Sequence, residues 1–296
     1  MRKLLLAAAG LAARLLPTSL KQAIYRSKPL AGWIRRGLNR AAPSGLSEVK
    51  VAAGDLAGCT FQLDMQTEKD YWLGTYEPEL QSALPQLVPP GAVVYDVGAN
   101  IGYVSLLLAR AAGEHGRVFA FEALPGNAAR LRANLAQNGM QARVQLFEGA
   151  VTGAPGPVRF LVHASGGMGK AAGSAGRQEE RYQAEVTVQG ISLDEFVYAR
   201  GNPPPQVVKM DIEGGEVMAL PGMARLLAEA RPVMLIELHG PESARVAWET
   251  LGAAGYRICW LRNGFPSVPS LEQMGWKAYI TAWPGSPGVE ERAGGG

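Results

Sequence analysis

From Val93 onward, short near-continuous apolar runs alternate with segments whose apolar positions recur at helical spacing. "AVVYDVG" precedes "YVSLLLARAAG", and "RVFAFEA" precedes "PGNAARLRANLAQNG". After "RVQLFEGAV", the string "QVVKMDIEG" precedes "EVMALPGMARLLAEA", and "PVMLIELHG" precedes "PESARVAWETLGAAG". Runs that are apolar on both faces, separated by amphipathic helices, predict an α/β fold with a parallel sheet covered on both sides. Pro125 suits the first turn of its helix and Gly139 the stop. The final runs, "YRICWL" and "KAYITAWP", have no helix of consequence between them, which predicts an antiparallel pair at the sheet edge.

Elsewhere the rhythm differs. "EVKVAAGDLAGCTFQLDM" reads as a small antiparallel hairpin, and "YWLGTYEPELQSALPQLVPPG" as a short helix closed by two prolines. Between Pro155 and Val188 the alternation breaks. Glycine-rich "VHASGGMGKAAGSAGRQEERY" lies between strand-like "VRFLV" and "AEVTVQG", predicting an exposed hairpin with a long mobile tip over about 163–182. Such tips serve as lids or binding loops, or vary without a role. In "ISLDEFVYAR", Ser192 and Glu195 have capping-box spacing. The organisation expected is a basic helical arm (1–47), a hairpin and helix (48–90), the main domain (91–284) and a disordered tail (285–296).

Charge sharpens that division. Residues 1–47 hold nine Lys/Arg and no acid, while the 296-residue chain nets only +3, so the remainder stands at −6. "MRKLLLAAAGLAARLL" starts like a signal peptide, but Arg14 interrupts its apolar run and no small-x-small site precedes Pro17. One or two basic amphipathic helices, able to lie on an anionic membrane surface, are the expectation. The alternative is a basic helix packed on the body. The two cysteines, Cys59 and Cys259, are far apart, which reads as a reduced, cytoplasmic setting, with the arm at the inner face of the membrane.

Candidate chemistry gathers first in "DVGANIG". A dinucleotide fingerprint would be G-x-G-x-x-G, yet here Asn100 replaces the middle glycine between Gly98 and Gly102. Asp96 before the loop would repel a diphosphate and suit a ligand with an ammonium or sulfonium group; S-adenosylmethionine carries both. Glu122, 24 residues past Gly98, ends the second strand where an acid can accept both ribose hydroxyls, as a dehydrogenase would also require.

"VVYDVGANIGYVSLLLA", "VFAFEALPGNAARLRANLAQNG", "ISLDEF", "VVKMDIEGGEVMALPGM" and "PVMLIELHG" together resemble the FkbM-type S-adenosylmethionine-dependent methyltransferases, from about Tyr71 to Pro284. The resemblance implies a class I methyltransferase fold: a Rossmann-like seven-stranded sheet, last strand antiparallel, with helices on both faces. It also implies methyl transfer, usually to a hydroxyl of a sugar, glycan or natural product. Asp96, Gly98, Asn100 and Gly102 then fall on the donor loop and Glu122 on the ribose. Many class I enzymes place an acid near the adenine after the third strand. Here Ala150 stands at that position, leaving adenine to backbone groups near Ala150 or to Glu148.

On the acceptor side, "KMDIEGGE" sets Lys209, Asp211, Glu213 and Glu216 at and beyond one strand end, and "IELH" sets Glu237 and His239 at the next. Residues two apart on a strand share a face, so Glu237 and His239 point together. Methylating an alcohol needs alignment and proton removal; His239 is the candidate base, with Asp211 or Glu237 orienting it. The same oxygen and nitrogen donors suit Mg²⁺ or Mn²⁺, or a substrate amine. Two other classes compete: an NAD-dependent oxidoreductase, opposed by Asp96 and Asn100, and a non-catalytic binding module, opposed by the intact loop. "DIEG" replaces the Asn/Asp-Pro-Pro-aromatic motif of DNA amino-methyltransferases, so DNA is not an expected partner. No aromatic–basic surface suggests RNA.

Overall fold

The computed structural model describes residues 2–16, 20, 24, 27–163, 168–177 and 182–285. Nearly all of the expected tail, and residues 164–167 and 178–181 of the glycine-rich tip, lie outside the described residues. The chain divides into two compact units, Met1–Gln81 with Arg132–Gln141, and Ser82–Leu131 with Ala142–Gly296.

The first unit begins with α1 (Arg2–Leu15) and α2 (Lys28–Ala41), which start without an acid and carry Arg14 and Arg40 in their last turns. Positive charge there suits the negative end of the helix dipole. The expected hairpin is β1 (Leu46–Lys50) against β2 (Thr60–Asp64), in register from Leu46 opposite Asp64 to Lys50 opposite Thr60. Phe61 and Leu63 on β2 are fully buried, the period of two that the sequence shows. Backbone N–H groups of Thr60 and Gln62 donate to the side-chain oxygens of Asn138 and Asn134, each at 2.9 Å. A short α3 (Lys69–Leu73) follows.

After α4 (Pro78–Leu87), which straddles the division, the second unit alternates as expected. It runs β3 (Val93–Val97), α5 (Tyr103–Ala111), β4 (Arg117–Glu122), α6 (Pro125–Gln137), whose residues from Arg132 on belong to the first unit, and β5 (Val144–Glu148). An insertion holds β6 (Ala150–Val151), β7 (Gly156–His163), β8 (Gly169–Ala171) and β9 (Tyr182–Ile191). Then come β10 (Val207–Met210), α7 (Glu216–Ala219), α8 (Ala224–Glu229), β11 (Val233–His239), α9 (Pro241–Ala253), β12 (Tyr256–Trp260) and β13 (Lys277–Pro284). The main sheet has the order β12-β13-β11-β10-β3-β4-β5. β13 runs antiparallel to both neighbours, whereas β11, β10, β3, β4 and β5 pair in parallel. This is the parallel-cored sheet that the alternation predicts, in the Rossmann-like seven-stranded form with an antiparallel last strand that the family resemblance implies.

Chain order departs from β3 in one direction through β4 and β5, and in the other through β10 and β11. The carboxyl ends of β3 and β10 therefore flank a topological switch point, where open sheets bind ligands. Beneath it, Tyr95, Phe119, Phe121 and Phe196 pack with ring centroids 4.9–5.7 Å apart. Burying each ring contributes about 1.5–3 kcal/mol. The Tyr95 hydroxyl donates to the carbonyl of Pro203 at 2.7 Å, and burial raises its pKa well above the ordinary value.

Three local features differ from the sequence pattern. "RVQLFEGAV" divides at Gly149, and β6 leaves the main sheet for a second one ordered β6-β9-β7-β8. A side chain at Gly149 would lie 2.4 Å from the Gln189 carbonyl oxygen, so only glycine lets the chain cross there. The run from Glu216 is not one helix: a 3₁₀ turn over Leu220–Met223 separates α7 from α8, at Pro221, which has no N–H to donate. In the capping box, the Ser192 hydroxyl accepts the Glu195 N–H at 3.1 Å, but the Glu195 carboxylate turns to Arg200. The segment it opens is a π-turn, Glu195–Ala199.

Candidate active site

The loop after β3 is shaped by its glycines. Gly98, Asn100 and Gly102 have φ of +80°, +49° and +87°. A Cβ on Gly98 would stand 1.9 Å from the carbonyl oxygen of Asp211, so this loop and the one after β10 touch main chain to main chain. The Asp211 N–H donates to the Val97 carbonyl at 3.0 Å, and the N–H groups of Gly98 and Ala99 both reach the Phe121 carbonyl. Glu122, buried at the end of β4, accepts the N–H of Asn100 on one oxygen and that of Leu124 on the other, both at 2.8 Å. Burial raises its pKa, and those backbone donors and the Asn127 amide oppose the rise. Neutral donors, such as the two hydroxyls of a ribose, are what such a carboxylate can accept at its remaining lone pairs.

Asp96 is placed otherwise than an open loop carboxylate. It is 0% exposed, accepts the Ser105 hydroxyl at 2.6 Å and lies 3.3 Å from the Lys209 ammonium, its register partner on β10. Lys209 also donates to the Gly98 carbonyl at 3.1 Å. What Asp96 holds directly is therefore the base of the loop. Ala150 is buried in β6, opposite Gly190, and Glu148 is exposed at the end of β5.

His239 and the acids after β10 and β11 come together around one imidazole. Nε2 lies 3.8 Å from Asp211 Oδ1, 3.7 Å from Glu213 Oε2 and 3.7 Å from Glu237 Oε1. Nδ1 faces Glu216 Oε1 at 3.4 Å. Glu216 is 0% exposed; its carboxylate also accepts the Ile212 N–H and the Ser243 hydroxyl, at 3.2 and 2.9 Å. Sequence reasoning placed Glu216 in the region without a role. Its signal was its position just past the Gly214–Gly215 turn, at the first residue of α7. Burial by itself lowers the His239 pKa, but the carboxylates of Glu216, Asp211 and Glu213 outweigh it, so the net direction is upward. Glu213, at φ +52°, is raised chiefly by burial and further by Asp211 and Glu216, with His239 and Lys277 opposing.

Asp211, Glu237 and His239 each offer a donor atom within 4.8 Å of the others. Adjacent ligands of an octahedral ion with bonds of about 2.1 Å lie about 3.0 Å apart, so the gaps of 3.7–3.8 Å around Nε2 would have to close by several tenths of an ångström to hold a small divalent ion. The Lys277 ammonium contacts Glu237 Oε1 and competes for that oxygen.

The glycine-rich insertion covers this cluster. The Ala175 N–H donates to the Gly214 carbonyl at 2.9 Å, and a Cβ on Gly176 would lie 2.1 Å from the Glu213 carbonyl oxygen. Between insertion and cluster lies a cavity of about 210 Å³, with His239 and Glu213 on one side and Lys170 and Arg177 on the other.

A sheet of this order with a glycine loop after β3, an acid at the end of β4 and a histidine–carboxylate cluster beyond β10 and β11 defines a class I methyltransferase fold. The family model "Methyltransferase FkbM domain" matches residues 96–258, which takes in every residue placed above from Asp96 to His239. The chain belongs to the FkbM methyltransferase family. A relative, the hexuronic acid methyltransferase AglP of Haloferax volcanii, is 30% identical over 154 residues, covering 50% of this chain and 56% of that protein. Among solved structures, methyltransferase FkbM from Methylobacillus flagellatus KT is 17% identical with a TM-score of 0.43, over 74% of this chain and 54% of that one. An O-methyltransferase from Bacillus cereus in complex with SAH is 16% identical with a TM-score of 0.45, over 71% and 82%. The chain thus spans about half the length of AglP and of the Methylobacillus protein. At these scores the fold rests on the strand order itself.

Proposed function

We propose that this chain transfers a methyl group from S-adenosylmethionine to a hydroxyl of a sugar, glycan or natural-product acceptor. The observation that carries the reading is the contact of Gly98 with Asp211, which sets the donor loop directly against the His239 cluster. When bound, S-adenosylmethionine supplies an electrophilic methyl group. Glu122 would accept its ribose hydroxyls, the backbone of Gly98–Gly102 would wrap its amino-acid end, and backbone groups at Ala150 would meet its adenine. His239 Nε2 takes the acceptor's proton, a contribution of roughly 10²–10⁴-fold. Glu216 is a positioning residue: it holds a proton on Nδ1, keeps the lone pair on Nε2 and stabilises the imidazolium that results. Asp211, Glu213 and Glu237 favour the same charged state. Calorimetric titration with S-adenosylmethionine and, separately, NAD tests the reading. The first alone should bind, at least tenfold more weakly to Glu122→Ala; binding of NAD instead would replace it with an oxidoreductase, and binding of neither with a non-catalytic module.

A second reading is favoured by the donor set at Asp211, Glu237 and His239. There a divalent ion, when bound, would orient the hydroxyl and lower its pKa.

The arm supports a further part of the proposal, contact with an anionic membrane from the cytoplasmic side. Of the nine exposed large apolar side chains among the described residues, six lie between Leu5 and Trp33, including Leu15 at 72% and Trp33 at 71%. Among the described residues, no helix is long and apolar enough to cross a membrane. Flotation of the full chain and of Trp33→Ser with phosphatidylglycerol and phosphatidylcholine vesicles is the check. Recovery with neither lipid would end this part of the reading.

A further inference from the structure

Asp211, Glu213, Glu216 and Glu237 each bring a carboxylate oxygen within 3.8 Å of a His239 ring nitrogen. Among the described residues, the one lysine or arginine in ion-pair contact with any of the four is Lys277, on Glu237 Oε1. The sheet builds that contact. Lys277 opens β13 directly opposite His239 on β11, so the two side chains share a face of the sheet. Glu237, two residues before His239, lies on the same face and diagonal to Lys277. The Gly240 N–H donates to the Trp276 carbonyl at 2.7 Å, which ties the start of β13 to the end of β11. The Glu237 side chain is 4% exposed, whereas that of Lys277 is 61% exposed and lines the cavity with Glu213 and His239. A carboxylate so buried needs a partner of opposite charge. Its Oε1 faces both the ammonium and His239 Nε2, so an ion bridging that oxygen and His239 would have to displace the ammonium.

The two occupants differ in what they leave to His239. A metal ion takes the Nε2 lone pair as a ligand, and a nitrogen so bound accepts no proton. An ammonium has only donors, and it binds Glu237 without using that lone pair.

We infer that Lys277 is the resident cation of this cluster: it holds Glu237 against a divalent ion and so keeps His239 Nε2 free to act as the base. This role rests on the methyltransferase reading and decides, within it, between the base and the metal. Lys277 is a positioning residue that acts through Glu237 and His239.

The test is Mn²⁺ binding to the full chain at neutral pH, read by electron paramagnetic resonance and by calorimetry, with S-adenosylhomocysteine titrated in parallel. Lys277→Met, in which Glu237 has lost its cation, should bind Mn²⁺ at least tenfold more tightly than wild type. Lys277→Arg, which restores the positive charge, should bind it as weakly as wild type; a merely structural side chain would not order the variants by charge. Adding Glu237→Gln to Lys277→Met should abolish the gain. Lys277→Gln replaces the methionine variant if circular dichroism shows that variant unfolded. Equal Mn²⁺ affinity in wild type and Lys277→Met, whether tight or weak, or a gain that survives Glu237→Gln, would overturn the resident cation and leave the donor reading standing. Failure of S-adenosylhomocysteine to bind wild type would remove the methyltransferase reading and this role with it.

Discussion

Replacing Lys209 by methionine isolates the interaction at the base of the donor loop. Lys209 and Asp96 are register partners on adjacent central strands, 3.3 Å apart, with side chains 3% and 0% exposed. At an effective dielectric of about 20, a pair at that distance attracts by about 5 kcal/mol. Removing one member strands a buried charge, which costs about 3–5 kcal/mol in comparable pairs. Asp96 keeps the Ser105 hydroxyl, so the lower half of that range, about 3–4 kcal/mol, is expected for Lys209→Met. That is a large share of the roughly 5–15 kcal/mol that holds a typical protein folded. The assay is urea unfolding at neutral pH, followed by circular dichroism. Adding Asp96→Asn should recover at least half of the loss, because no unpaired charge then remains while Ser105 still has an acceptor. A loss below about 1 kcal/mol in the single variant, or a double variant no more stable than the single, would refute the reasoning.

Four further outcomes are expected. Gly98→Ala puts a Cβ 1.9 Å from the Asp211 carbonyl at a φ of +80°, so S-adenosylmethionine affinity should fall more than tenfold; Gly126→Ala, which meets nothing within 4 Å, should leave it unchanged. His239 must be neutral to act and its pKa is raised above 6.5, so the transfer rate should climb with pH above that value, and Glu216→Gln should move the rise to lower pH; an unmoved profile counts against the pairing. The stability that a protonated His239 contributes should be complete below pH 6.5 and disappear as pH rises through its raised pKa, visible as a loss of melting temperature in wild type that His239→Gln lacks. Dialysis against EDTA with Mg²⁺ or Mn²⁺ add-back separates the base from the metal reading: unchanged transfer by the chelated protein favours the base, and loss with recovery favours the ion.

Much of the fold is visible in the chain because β3, β4, β10 and β11 are apolar on both faces and separated by helices. The pairing of Glu237 with His239 follows from a spacing of two on one strand, and their meeting with Asp211 from adjacent strand ends. Lys209 and Asp96 form a pair only through the register between two strands 113 residues apart, which no local pattern encodes. Local spacing also leaves Asp96 looking open, because its partners, Ser105 in the first turn of α5 and Lys209 on β10, lie elsewhere in the chain. Glu216 reaches His239 because the chain turns tightly through Glu213–Gly215 before α7. β6 and β8, at two and three residues, are too short to carry an alternation. The placement of Lys170 and Arg177 rests on glycine backbones touching at residues 176 and 214, a contact that leaves only the glycines themselves in the sequence.

The insertion leaves the main sheet after β5, the chain rejoins that sheet at β10, and the strands at the insertion's two ends, β6 and β9, are neighbours. Ala150 pairs with Gly190, Val151 with Ile191, and the Thr152 N–H donates to the Ile191 carbonyl at 2.9 Å. A segment whose ends already meet can be exchanged without opening the scaffold, since no new loop has to be closed. Residues 152–190 therefore form a cassette, and replacing it with the corresponding stretch of a relative would transplant acceptor preference onto an unchanged donor site.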